Sequence, residues 1–526
     1  MLSKSKISNY KNIVSFEHSQ RGDFTNLNYN PTFKSSAIFF VILNKFVNTK
    51  ISFLNYWKIK NSNYDVTCQL TLRNQKGFKI LRKFFKVADN TYQISISDLI
   101  KLNSANDNFL GSIELEIHSS YDLKYSFPAI DAIYETKEGI SLVHSNQRIF
   151  ENFQDIKNNE SINKTQTGFD IHLDSKNESF ITAINGPEEI KNKELYVEFF
   201  NYLGKSIKEK IRYDKINPYQ AIFLELKSFK RLRKFLKNKR IFCKINLPTK
   251  NIFNRILVGT FSKNRKKIST THSYYDCSKF SDYINTKNID KNQYQCYLPF
   301  NIIEGLDLEI VIYPIFSRSN ITVGLEEYDL DRKRKTIKNN IQTIKKNFND
   351  LKIINLKNII KTQNKINKNN VYCLSIVSKN HLLPSRLTFG FNYKKISLGS
   401  NISESMIVNH GKDIKGRGFY WGPAFCSKKL KTIIALSSVS KNKDELKNNS
   451  KLVKMKLYGK DKVILRKKFY IRSPQAINLD IKKLLKKNKI NEGKIIWYTL
   501  ETEEKNIICK HIHLSEYGHV CADHSF

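Results

Sequence analysis

Ile140-Ser141-Leu142-Val143-His144-Ser145 and Ile268-Ser269-Thr270-Thr271-His272-Ser273 are two copies of one phrase, and the chain carries three more. Val14-Ser15-Phe16-Glu17-His18-Ser19 precedes them and Val520-Cys521-Ala522-Asp523-His524-Ser525 is the last. The fourth in order is Ile396-Ser397-Leu398-Gly399-Ser400-Asn401, with Ser400 in place of His. Successive copies start 126, 128, 128 and 124 residues apart. A period this regular sets the architecture before any shorter motif is weighed. It divides the chain into a leading segment 1–19 and four panels: 20–145, 146–273, 274–401 and 402–526. Each panel has the length of an ordinary domain with its own core.

The panels agree internally. An alternating run, Val66-Thr67-Cys68-Gln69-Leu70-Thr71-Leu72-Arg73, has counterparts at Leu195–Phe200, Ile321–Leu325 and Val453–Leu457. Apolar residues at every second position predict strands with one buried face. Further along, a second strand is followed by a short Leu/Lys helix. The pairs are Tyr92–Ile96 with Asp98–Lys101, Tyr219–Phe223 with Phe229–Arg240, Leu351–Leu356 with Asn358–Lys361, and Gln475–Leu479 with Ile481–Lys487. Pro128, Pro248 and Pro384 then precede the strand that ends in the repeated phrase. Six or seven short strands with turns between them predict an all-β chain: four tandem immunoglobulin-like antiparallel β-sandwich repeats, each with a short helix. The Cys-Trp-Cys spacing of antibody domains is absent. No flexible linker separates the panels, so rigid packing is expected.

Lys and Arg number 90 against 48 Asp and Glu, a net charge of +42. The sequence is rich in Lys, Asn and Ile together, so part of this is coding bias, but such a surface attracts acidic polymers. Met1–Gln20 has no apolar core and does not read as a secretory signal. The apolar run Ala37–Leu43 is far too short to span a bilayer and reads as a buried strand. The eight Cys contain no Cys-x-x-Cys pair, which points to free thiols and a cytoplasmic location.

Four groups of residues could carry chemistry. In each phrase the apolar lead, the residue two later and the His share one strand face, because side chains alternate. His18, His144, His272 and His524 are therefore either joints that bond the chain as it leaves a sandwich, or ligands that converge on a metal or acidic substrate. In a linear row of domains equivalent points lie tens of ångströms apart, which favours joints. The second group is Cys509, His511, His513, His519 and Cys521, whose two rows a hairpin through Leu514–Gly518 would set face to face. Two thiolates with imidazoles suit zinc or another transition metal, although the spacing matches no zinc finger and a solvated face is the plain alternative. The third is His272–Cys277, rich in polar groups, of which Tyr274 and Asp276 are binding candidates. The fourth is the basic helix with Lys230, Arg233, Lys234 and Lys237 on its outer face, together with the basic stretch from Arg332 through Arg334.

Gly-x-Ser-x-Gly, His-Glu-x-x-His and phosphate-cradling Gly-rich loops are all absent from the sequence. The leading expectation is a non-enzymatic binding or scaffold protein whose basic surface meets an acidic polymer or a protein partner. Glycan is preferred to nucleic acid because Trp57, Tyr274, Tyr275, Phe419, Tyr420 and Trp421 would stack on sugars if they stood on loops. The alternatives are a metal-dependent glycan or ester hydrolase using the His-Ser phrases or the C-terminal His/Cys cluster, and a purely structural assembly subunit.

Overall fold

The computed structural model describes residues 33–526 apart from 105–106, 124–127, 145–146, 150–165, 202, 237–239, 248–251, 276–282, 286–295, 314–316, 318, 330–333, 346–350, 361–366, 368, 385–386, 397, 406, 409–414, 440–449, 491–494 and 505–506. His18, Lys237, Asp276 and Arg332 lie outside the described residues, as do the side chains of Tyr274 and Arg334.

The chain is built of antiparallel sheets with few helices. Alternation does what it predicts: Thr67–Asn74 turns Cys68, Leu70 and Leu72 into a core and leaves Thr67 outside. One strand order recurs in four consecutive quarters of the chain. In the second quarter one sheet runs Ser206–Ile216, Ile190–Phe200, Ile241–Asn246, Gln166–Ile171, and the other runs Ala221–Glu225, Asn177–Ile184, Leu257–Ser262, Ile268–His272. The third and fourth quarters repeat both orders. In the first quarter Leu43 pairs with Asn48, which fuses the two sheets into one of eight strands without altering the order. A short helix follows the equivalent strand in each quarter, at Ile96–Leu99, Lys230–Leu236, Leu356–Ile360 and Ile481–Lys487.

The last long strand of each quarter (Gly139–Val143, Ile268–His272, Ser400–Ser405 and Val520–His524) pairs at first within the shorter sheet. The chain then crosses to the first strand of the other sheet. Gln147 bridges Ile38, Tyr274–Tyr275 pairs with Gln166–Ile171, Ile407–Val408 pairs with Cys296–Phe300, and Phe526 N–H donates to Trp421 O. The repeated His stands at this crossing.

In the third quarter the phrase is displaced from its sequence match. Ile396, Leu398 and Gly399 belong to the hairpin turn, and the strand is Ser400–Ser405. The pairs that close the four hairpins involve Gly139, Lys267, His519 and, by continuing the register of Tyr393 with Ser400, Gly399. Five residues beyond the first three stand His144, His272 and His524, whereas Ser400 opens its strand one residue beyond Gly399.

Consecutive quarters touch, and the fourth returns to the first. Ala221 N–H donates to Gln75 O at 2.9 Å, and the Arg73 guanidinium lies 4.0 Å from the centre of the Tyr219 ring. Arg240 pairs with Glu309 at 2.6 Å beside the Phe242–Tyr313 ring pair. Asn301 Nδ2 donates to Leu436 O and Asn478 Oδ1, each at 2.9 Å. Trp497 Nε1 donates to Ser52 Oγ at 2.9 Å, and Tyr56 stacks on Trp421. These contacts close a ring.

Glu309 tests the junction of the second and third quarters, since it accepts from Arg240, Asn392 and Lys394. Burial pushes its carboxyl up, but Arg240 and Lys394 outweigh that and hold it below the usual range. Its contribution is therefore present at neutral pH and lost as pH falls through its folded pKa. Glu309→Ala strands a largely buried guanidinium and should cost about 3–5 kcal/mol, read as a lower melting temperature, whereas Arg240→Met with Glu309→Leu should recover most of the loss. An unchanged melting temperature in the single variant would show that the pair is dispensable.

Candidate functional site

The four crossing strands meet. Gly139–Val143 contacts both Ile268–His272 and Val520–His524, and Ser400–Ser405 contacts the same two strands from the other side. Small polar side chains make the lateral contacts. Ser141 Oγ and Thr270 Oγ1 are 2.9 Å apart, Ser269 Oγ donates to Gly399 O at 2.9 Å, and Leu142 N–H donates to Cys521 Sγ at 3.2 Å. Gly139 leaves room for His519: a Cβ there would sit 2.4 Å from the imidazole.

At the crossings three imidazoles come together. The ring centres of His144 and His272 are 5.0 Å apart, and those of His144 and His524 are 4.2 Å apart. One ligand atom from each of the three lies within 4.8 Å of the others. The separation expected of a linear row does not hold, because the row bends into a ring and its equivalent points face its centre. His272 is buried, while His144 and His524 keep partial exposure.

Each Nδ1 of the three faces an acceptor: Asp523 Oδ2 at 2.7 Å for His144, Ser273 O at 3.1 Å for His272 and Ser525 O at 3.2 Å for His524. Burial opposes the charge on Asp523, yet His144, His524 and His511 hold its carboxyl well below the usual range, so it is ionised. Burial, reinforced by His144 and Arg255, drives His272 well below the ordinary imidazole value. Asp131 is fully buried with both carboxylate oxygens unpartnered among the described residues, and burial and Asp523 raise it well above the usual range. Continuing the register of Ala132 with Val143 by one step sets Asp131 opposite His144. Sequence reading missed Asp131; its signal is a lone charge inside the apolar run Ala129-Ile130-Asp131-Ala132-Ile133.

The C-terminal hairpin forms as expected, with His511 opposite Asp523 and His513 opposite Cys521. Its His/Cys face is buried, not solvated. Its five candidates do not gather at one point: among the described residues the group with metal-ligand spacing is that of His144, His272 and His524. His511 Nδ1 meets the Tyr498 hydroxyl at 3.1 Å and His513 Nδ1 meets Thr432 Oγ1 at 2.8 Å. Burial pushes the Cys509 thiol up to about 12 and the Cys521 thiol higher, so both are protonated and unreactive.

Lys230, Arg233 and Lys234 are exposed on their helix, distant in sequence and strand order from the histidines. Trp57 and Trp421 are core residues between the first and fourth quarters, and Phe419 and Tyr420 are half-buried, so these do not form a sugar platform. The cavity that His272 borders holds about 20 Å³, room for a single water. A larger cavity of about 290 Å³, lined by Lys45, Asp107, Glu225 and Arg265 among others, lies between the first two quarters and touches none of the candidate residues.

No family model matches the chain, and no curated protein matches it. Among solved structures, the BSP domain of a biofilm-associated protein is similar over 95% of this chain and 96% of its own, at 7% identity and a TM-score of 0.14. A β-glucuronidase of Parabacteroides merdae is similar over 48% of this chain, which spans 29% of that enzyme, at 10% identity and a TM-score of 0.12. At such scores neither likeness bears on what this chain does.

The buried imidazoles make stability depend on pH. Burial drives His511 down to about 3 and His519 to about 4, and lowers His272 and His513 well below 6.5. All four stay neutral in the folded chain but take up protons on unfolding once pH drops below about 6.5. Stability therefore falls as pH decreases, by about 2 kcal/mol per histidine at pH 5. Urea unfolding at pH 7.5 and pH 5 should show a lower midpoint at pH 5 and a smaller difference in His511→Asn. Equal midpoints in the wild type would refute the buried neutral state.

Proposed function

We propose that the chain is a non-enzymatic scaffold of four tandem immunoglobulin-like β-sandwich repeats that binds an acidic polymer along its cationic sheet edges. The proposed units are 20–145, 146–273, 274–401 and 402–526, and one strand order that recurs four times along the chain supports them. The observation that carries the reading is the chemistry of one topological position. In every quarter the outermost strand of the longer strand set is basic: Lys79–Lys86, Ser206–Ile216, Arg334–Ile344 and Val463–Ile471.

Lys79, Arg82, Lys83 and Lys86 are exposed in the first quarter, and Arg466 and Lys468 in the fourth. Cations on an edge also guard against unwanted strand pairing. Edge protection alone does not account for the aromatics beside them, Phe84 at 65% and Tyr470 at 63% exposure, since apolar rings invite association. Cations interleaved with flat rings suit an anionic chain that can stack, whether acidic glycan or single-stranded nucleic acid. The basic helix with Lys230, Arg233 and Lys234 extends the cationic face in the second quarter. There the edge cations Lys210, Arg212 and Lys215 are already engaged by Glu194 and Glu189, so the first and fourth edges are the stronger candidates.

Heparin and single-stranded DNA should both bind, with affinity falling linearly in log salt. Lys83→Glu with Lys86→Glu should lower the slope for DNA by about 1 to 2. Salt-independent binding, or none to either polymer, would refute this reading.

A further inference from the structure

We propose that His144, His272 and His524 form a site for a transition-metal dication of the zinc class, which ties the closing strands of three quarters together at the centre of the ring. The site is independent of the cationic edges and of whatever binds there.

The first support is placement. Three imidazoles from three separate strands offer ligand atoms within 4.8 Å of one another. Tetrahedral zinc with Zn–N distances of about 2.05 Å sets its ligand nitrogens about 3.4 Å apart, so the rings need to close by little more than an ångström.

The second is the tautomer. Asp523 Oδ2, Ser273 O and Ser525 O can only accept, so each facing Nδ1 carries a proton and the lone pair of the neutral ring falls on Nε2. A carboxylate on one histidine and backbone carbonyls on the other two are the outer partners that orient imidazoles toward a metal. A joint that merely bonded the departing chain would have no reason to aim three rings alike.

The third is charge. Asp523, whose Oδ2 lies 2.7 Å from His144 Nδ1, and the fully buried Asp131 place two carboxyl groups beside the cluster, and Asp131 stands opposite His144 by register. A dication there would compensate carboxylate charge that imidazoles this close cannot offset by all being protonated together. Partial exposure of His144 and His524 gives an ion a way in.

The test uses the untagged full chain, stripped with a chelator and titrated with Zn(II) by calorimetry, then with Co(II) by visible spectroscopy. One equivalent of zinc should bind, raise the melting temperature, and displace cobalt from a site with the intense bands of low coordination number. Asp523→Asn, which replaces the carboxylate facing His144 Nδ1 and the His524 backbone N–H, should weaken binding about 10- to 100-fold. His144→Gln and His272→Gln should abolish the saturable site, while His513→Asn should retain it. If the histidine variants do not fold, the wild-type titration decides alone: failure to take up zinc at micromolar concentration overturns the proposal. So does wild-type affinity in any folded His144 or His272 variant.

Discussion

Every quarter ends in a strand that serves two sheets, and the rest of the structure follows from where those strands can go. A strand that pairs first with one sheet and then with the other must cross the edge of its sandwich, where its own quarter cannot cover it. The structure supplies the cover from neighbouring quarters. All five residues of Gly139–Val143 are buried, including the side that faces away from its own sheet. Burial on both sides explains the mixture of residues there. Apolar groups fill the space toward the core, while Ser141, Thr270 and Cys521 make lateral contacts in which each polar atom finds a partner. Unpaired, such atoms would cost more than their burial returns. The ring is thus a consequence of local strand geometry, and the aromatic and ionic junctions between quarters reinforce it from outside.

Charge is sorted in the same way. Excess Lys and Arg stand on edge strands and short helices, in water, where a long side chain keeps its head solvated at little cost. The few acidic and imidazole groups at the centre are desolvated and coupled to one another, so their protonation reflects their neighbours more than their own chemistry. A net charge of +42 describes the exterior and says little about the interior.

Much of this was legible in the sequence because alternation and spacing are properties of single strands. The alternating runs, the strand-then-helix unit and the C-terminal hairpin appear where the residues imply. What failed depended on contacts between distant strands. Ile396 and Leu398 look like part of the phrase but precede the strand Ser400–Ser405, because residue similarity carries no register. Trp57 and Trp421 look like exposed platforms until the first and fourth quarters are brought together. The His/Cys face of the final hairpin reads as solvated only while the neighbouring first quarter, whose Leu142 and Gly139 meet Cys521 and His519, is left out. The meeting of three histidines could not be read from a chain imagined as a line.

The fourth copy of the phrase, in which Ser400 stands where the other copies have His, marks a difference between this chain and a symmetric oligomer. Four identical subunits around a rotation axis must present the same residue four times at their centre, so any substitution there is made fourfold. Joining the four by peptide bonds removes that restriction. Each copy of the position answers to its own codon, and the centre can gather three imidazoles while the strand scaffold around it stays fourfold. Covalent continuity lets a symmetric frame surround an asymmetric centre.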